Sequence, residues 1–400
     1  MALLVSPRAQ DKFCYAVFQR EQTDNVGELG TMRAILAFAA VILVLVSPTS
    51  LMAQDEEEYD PFAPRWSFAI HGGAGTIERA NMTPEQDAAY RAALQQALDA
   101  GAKILAEGGS AMDAVIAAIT LMEDDPKFNA GKGAVFTWEG ANELDAALMD
   151  GRDRSAGAVT GVKTVKNPIL LAREVMKDGR HVFLSGAGAE EFASDKGLEL
   201  VDPEYFATEP RRRSLERMKA QQLSAIDVDV KFGTVGAVAL DLEGNMVAGT
   251  STGGLTGKRW GRIGDVPVIG AGTYADNRDC AVSATGQGEY FIRAAVGHSI
   301  CQGLRYSWRK MLDDAQASVP LDEDGNPTFI VHASEMWLEE SDVQAVADAV
   351  MADVKDLGGT GGVIVVSPFG PAVFSFNTPG MYRGRATSAG VSEVGIYGDE

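Results

Sequence analysis

Gly233-Thr-Val-Gly-Ala-Val-Ala-Leu-Asp241, then Leu242-Glu243-Gly244, then Asn245-Met-Val-Ala-Gly-Thr-Ser-Thr252 is the stretch from which the fold can be read. Two runs rich in Val, Ala and Thr flank three residues ending in Gly. That is the pattern of a hairpin closed by a type I turn plus a bulge, with Gly in the left-handed position. Closing the pair at Asp241 and Asn245 brings Thr234 directly opposite Thr252. A two-residue turn would shift the register and send the two side chains to opposite faces. The inferred turn therefore predicts two threonine hydroxyls side by side at the open end of a hairpin. Two threonines filling a pleated surface by β-propensity is the plainer account of the same spacing.

Upstream of this hairpin, from Asp202 to about Val230, the chain is polar and charged, with Arg211-Arg212-Arg213 and a helix-like segment from Leu215 to Leu223, and reads as a surface linker. Further upstream, Trp66 to Ile70 reads as a buried strand running into His71-Gly-Gly-Ala-Gly75. Thr83-Pro84-Glu85-Gln86 supplies an N-cap, a first-turn Pro and a capping-box Gln for a helix to about Glu107. Ser110 caps a second helix through about Glu123. Phe128 to Phe136 is a Gly-punctuated loop entering a strand, with Asn142 to Met149 as its hairpin partner. Asn167-Pro168 opens a helix to about Lys177, and His181 to Leu184 is a short strand. Downstream, Val282 to Ala284, Val363 to Ser367 and Ala372 to Phe376 read as strands, and Glu289 to Met311 and Ser341 to Val354 as helices. Strands arriving as hairpins beside helices favour an α+β class of antiparallel sheets covered by helices.

Composition narrows the function. The chain has 400 residues, 46% hydrophobic and 23% charged, enough to fill a sizeable core and unlike a disordered chain. Its formal net charge of −21 repels phosphate backbones, which argues against nucleic acid as a partner. The 44 glycines exceed the usual share of roughly 7% and point to tight turns and close backbone approach. Three cysteines make no disulfide framework, and the four histidines show no zinc-site spacing. Cys280 and Cys301 can pair in an oxidising compartment only if their geometry allows it.

Met32-Arg33, the apolar run Ala34 to Val46 and the small residues up to Ala53 read as a signal peptide over residues 32–53. The run is shorter than the roughly 20 residues a membrane-spanning helix needs. Residues 1–31, which hold Asp11, Glu21, Asp24 and Glu28, read as a mis-assigned start region.

Three local patterns lead elsewhere. Gly186-Ala-Gly188-Ala-Glu-Glu191 lacks the third Gly of a dinucleotide loop, and Gly358-Gly359-Thr360-Gly361-Gly362 precedes a strand, the reverse of what phosphate cradling needs, so turns are the better reading of both. Gly249-Thr-Ser-Thr-Gly253 fits a serine nucleophile elbow, with His298 or His332 as base, yet the chain continues as loop where an elbow needs a helix.

Gly233 to Asp241, Thr250-Ser-Thr-Gly-Gly-Leu-Thr256, Gly261-Arg-Ile-Gly-Asp265, Gly270-Ala-Gly272 and Ala284-Thr-Gly286 together resemble the plant-type asparaginase/isoaspartyl peptidase family of N-terminal-nucleophile hydrolases. His71 to Gly75, Phe128-Asn-Ala-Gly131, Leu144-Asp145, Met149-Asp-Gly151 and Asn377 to Arg383 match in order, so the likeness spans nearly the whole chain after the leader. The resemblance implies a four-layer αββα sandwich and self-cleavage between Gly233 and Thr234. The products are an α subunit (54–233, with the 202–233 linker at its end) and a β subunit (234–400). Thr234 is then nucleophile and, through its freed α-amine, base.

By the same resemblance Thr252 hydrogen-bonds the nucleophile, and the Thr285 hydroxyl and Gly286 N–H form the oxyanion hole. Arg262 holds the substrate α-carboxylate, and Asp265, with Gly288, takes the α-ammonium. Asn129 is a loop residue near the nucleophile, and Gly72 and Gly73 shape substrate preference. The carbonyls of Met122, Glu123, Asp125, Phe128, Ala130 and Lys132 resemble a sodium-binding loop, and no cofactor is expected for catalysis. The expected substrate is an isoaspartyl peptide or L-asparagine, the expected assembly a dimer of αβ heterodimers, and the expected location periplasmic or secreted. Many relatives carry Asp where this chain has Gly233. Two alternatives remain: a glycosylasparaginase with the same machinery, and an uncleaved relative that only binds acidic amino acids.

Overall fold

The computed structural model describes residues 65–221, 233–370 and 372–400. The start region 1–31, the signal peptide 32–53 and linker residues 222–232 lie outside the described residues. Strand β1 (Ser67–Gly75) leads to helices α1 (Pro84–Ala106) and α2 (Ala111–Asp124), then β2 (Leu144–Asp150), β3 (Ala156–Val162), α3 (Pro168–Asp178), β4 (Phe183–Ser185), α4 (Gly186–Asp195) and α5 (Glu209–Ala220). Beyond Gly233 come β5 (Val235–Leu240), β6 (Met246–Thr252), β7 (Thr273–Asp276), β8 (Cys280–Gly286), α6 (Gly288–Ala294), α7 (Val296–Ala317), α8 (Glu340–Asp356), β9 (Gly361–Val366), β10 (Val373–Phe376), β11 (Gly380–Thr387) and β12 (Ser392–Tyr397).

The strands form an eight-stranded sheet, ordered β12-β11-β1-β5-β6-β2-β3-β4, and a four-stranded one, ordered β10-β9-β8-β7. Pairings are antiparallel except β3 with β4, which α3 connects. The class is α+β. Central strand β5 shows how one sequence builds two cores. Val235, Ala237 and Ala239 point to the side covered by α1 and α2, with Leu94, Leu98, Val115 and Ile119. Val238 and Leu240 point the other way, to Val282, Ala284 and Ile364 of the smaller sheet. Helices α7 and α8 pack on that smaller sheet.

Local rules explain the main elements. Thr83 and Gln86 make the expected reciprocal capping box at α1, and the Ser110 hydroxyl accepts from the Asp113 N–H at α2. The β5–β6 turn closes between the Asp241 N–H and the Asn245 carbonyl, with Gly244 at φ +79°. Its ladder runs from Leu240 opposite Met246 to Val235 opposite Ser251, the register that the three-residue loop requires.

Several elements differ from expectation. The strand at Trp66 to Ile70 continues through His71-Gly-Gly-Ala-Gly75, with a bulge between His71 and Gly73. Phe136 and Asn142 make only an isolated bridge, and β2 pairs with β3 and β6 instead of with a strand ending at Phe136. The reason lies in Gly131 and Gly133, whose positive φ values turn residues 128–136 into a loop. Gly186 to Glu191 is the start of α4, not a turn. The expected Glu289–Met311 helix is broken at Ala295, which adopts φ +47°. Helix α5 starts six residues before the expected Leu215, and its Leu215 and Met218 are buried against Phe136. Cys280 and Cys301 form a disulfide with a Cα separation of 5.4 Å.

Candidate active site

Thr234 is buried at the entry of β5 and Thr252 at the exit of β6, and their Oγ1 atoms stand 2.9 Å apart. The Thr252 oxygen also accepts from the Gly254 N–H at 3.0 Å, which fixes its rotamer. Asn129 locks the other side of the junction. Its N–H donates to the Gly233 carbonyl at 2.8 Å, its Nδ2 to the Gly254 carbonyl, and its Oδ1 accepts from the Val135 N–H.

These residues open on a small cleft that Arg262, Asp265 and Gly286 also line. Asp265 is buried, and one of its oxygens has no partner among the described residues. Burial pushes its carboxyl up to about 7, against the pull of the Arg262 guanidinium. Gly288 sits against both: a Cβ there would lie 2.7 Å from Asp265 Oδ1 and 3.0 Å from Arg262 Nη2. Thr285 is fully buried at the end of β8, and its hydroxyl is likewise without a partner among the described residues. Gly286 adopts φ +153°, where a Cβ would collide with the Thr360 carbonyl. An unsatisfied hydroxyl next to a glycine that lines the cleft is a place where an oxyanion can be met.

Gly72 and Gly73 stand behind this constellation, outside the cleft lining. A Cβ on Gly72 would strike the Phe128 ring, so its bareness lets β1 approach the 128–136 loop. That loop also suits an ion held by carbonyls. A Cβ at Gly133 would stand 2.5 Å from the Pro126 oxygen and 2.7 Å from the Phe128 oxygen, so bare carbonyls converge there. The Glu123 and Asp125 carbonyls each accept one loop amide, which leaves each a second lone pair. Among the described residues no group of three His, Cys, Asp or Glu side chains could hold a metal.

Three features escaped the sequence. Glu289 grips Arg262 through two parallel bonds, Nε to Oε1 at 2.9 Å and Nη2 to Oε2 at 3.0 Å, and so aims the guanidinium. Its place in the first turn of α6, one residue after Gly288, was the only available hint. His71 is fully buried, with Nδ1 3.1 Å from the Thr234 carbonyl and Nε2 2.9 Å from Ser283 Oγ. Burial pushes its pKa down to about 3, so it is neutral; the carbonyl can only accept, so Nδ1 carries the proton and Nε2 accepts from Ser283. The Thr250 and Thr273 hydroxyls extend this chain. Finally, Glu123 is sealed against α3, accepting from Ser251 Oγ at 2.6 Å and the Ile169 N–H at 3.1 Å, and burial pushes its carboxyl up to about 8. Ser251 is thereby committed to the opposite face of β6 from Thr252, which removes it as a nucleophile facing the cleft.

A protein-family model described as asparaginase matches residues 64–323. The chain is 41% identical over 337 residues to the isoaspartyl peptidase of Escherichia coli (strain K12), covering 82% of this chain and 95% of that relative. An isoaspartyl peptidase of Salmonella typhimurium is equally similar, at 41% over 337 residues, 82% of this chain and 98% of its own. The isoaspartyl peptidase/L-asparaginase of Rattus norvegicus is 45% identical over 240 residues, 58% of this chain and 71% of the relative.

Proposed function

The chain belongs to the asparaginase family, and from that membership we propose that it hydrolyses β-aspartyl amide bonds, in isoaspartyl peptides and in L-asparagine, to release L-aspartate. The observation that carries this reading is the 2.9 Å contact between Thr234 and Thr252 at a cleft lined by Arg262 and Asp265. An aspartyl unit presents an α-carboxylate and an α-ammonium, which a cation and an anion on one wall select together. Arg262, aimed by Glu289, takes the first and Asp265 the second.

The Gly233–Thr234 link breaks first. The freed α-amine, with a reference pKa of about 7.7–8.0, then removes the proton from the Thr234 hydroxyl. The hydroxyl attacks the substrate side-chain carbonyl, and Thr285 and Gly286 meet the developing oxyanion. The amine returns the proton to the leaving nitrogen, and water cleaves the acyl-enzyme. His71 and its hydroxyl chain hold the Thr234 carbonyl after the link on its other side is gone. No organic cofactor enters this sequence of steps. The carbonyls of Met122, Glu123, Asp125, Phe128, Ala130 and Lys132 would hold a sodium ion that fixes the loop carrying Asn129.

In this reading the two sheets and their helices form a four-layer αββα sandwich built from an α subunit ending at Gly233 and a β subunit starting at Thr234. The working unit is a dimer of such heterodimers. Export to a periplasm, or secretion, is supported by the sequence of residues 32–53 and by the Cys280–Cys301 disulfide, a bond that persists in oxidising compartments. Turnover of a β-aspartyl dipeptide by wild type and its loss in Thr234→Ala test the assignment. Turnover confined to a glycosylated asparagine would replace it with a glycosylasparaginase, and binding of aspartate without hydrolysis would replace it with a binding protein.

A further inference from the structure

Arg211 lies in the first turn of α5, beside the Gly233–Thr234 junction and outside the cleft lining. Its Nε donates to the Gly133 carbonyl at 2.8 Å and its Nη2 to the Lys127 carbonyl at 3.4 Å. No carboxylate reaches it among the described residues, and three of its five N–H bonds are uncommitted there. Burial pushes its pKa down, and the nearest titratable groups acting on it are the Tyr90 and Tyr382 phenols. A half-buried guanidinium with only neutral partners is costly, and one added anion would satisfy it. Gly233 lies beside it: a Cβ there would stand 3.5 Å from Arg211 Nη2.

We propose that Arg211 is a positioning residue that receives the carboxylate formed at Gly233 when the Gly233–Thr234 link breaks. In that break the Thr234 oxygen adds to the Gly233 carbonyl carbon, the C–N bond opens, and the hydroxyl proton passes to the nitrogen, leaving an ester. Water then adds its oxygen to the same carbon and returns a hydrogen to the Thr234 oxygen. One water is consumed, and a neutral carbonyl beside Arg211 becomes a carboxylate. The guanidinium fork matches its two oxygens and keeps the severed end docked beside Asn129, whose N–H already holds the Gly233 oxygen.

The inference rests on the self-cleavage reading, and the test separates the two. Wild-type protein and Arg211→Gln are purified, their cleaved fractions isolated, and the native proteins exposed to a carboxypeptidase while the intact mass of the N-terminal fragment is followed. Docking predicts that the Gly233 end survives in wild type and is trimmed at least tenfold faster in Arg211→Gln, at unchanged melting temperature. Equal trimming with two fragments present overturns the role of Arg211 alone. A wild type that stays a single chain overturns self-cleavage, and the role of Arg211 with it. Where Arg211→Gln yields too little cleaved protein, Arg211→Lys decides. Its point charge lacks the fork, so trimming faster than wild type supports the docking and trimming at the wild-type rate contradicts it.

Discussion

The Thr234 and Thr252 hydroxyls stand 2.9 Å apart, and in the proposed mechanism the first attacks and the second supports it. Thr252→Val keeps the shape and removes the supporting bond, worth about 1–1.5 kcal/mol, so kcat should fall by about tenfold while the fold is unchanged. Steady-state kinetics with a melting curve check this. Asp265 makes a second prediction. Its carboxyl is pushed up to about 7 by burial, so it loses its charge as pH falls through that value, and with it the hold on the substrate ammonium. KM should therefore climb below about pH 7, approaching tenfold per unit for a single proton, with no such limb in Asp265→Asn. Turn register, a local property, predicted the Thr234–Thr252 contact, whereas Asp265 was singled out only by the family resemblance. The sequence was silent on Glu289 and His71, whose roles depend on which strands the fold brings together: Ser283, the partner of His71, lies 212 residues away.

At the scale of elements, the β5–β6 hairpin was legible to the residue because its loop length fixes its register. Strands β3 (Ala156–Val162) and β11 and the edge strand β12 were missed, since Gly-rich strands in a two-faced sheet show little alternation. The break between α6 and α7 was also invisible, because an alanine in the left-handed region announces itself only through its surroundings. The Cys280–Cys301 bond ties the start of β8, the strand that carries Thr285, to α7. It closes a loop spanning 21 positions, so Cys301→Ser should cost roughly 3 kcal/mol of stability by chain entropy, read as a lowered midpoint in denaturant. Unchanged unfolding would mean that this bond constrains nothing.

Over the whole molecule, the strand order interleaves the two sides of the Gly233–Thr234 junction. Strand β1, from before it, lies between β11 and β5, and β6, from after it, pairs with β2. Fragments so interdigitated share one sheet and two cores, so after cleavage they should co-migrate in native gel filtration and separate only in denaturant. Independent elution would contradict this architecture. In the proposed mechanism this chain works only after it has cut itself. Intact-mass measurement and N-terminal sequencing of active enzyme should find a fragment whose first residue is Thr234. A fully active preparation in which Gly233 and Thr234 are still joined would contradict the account.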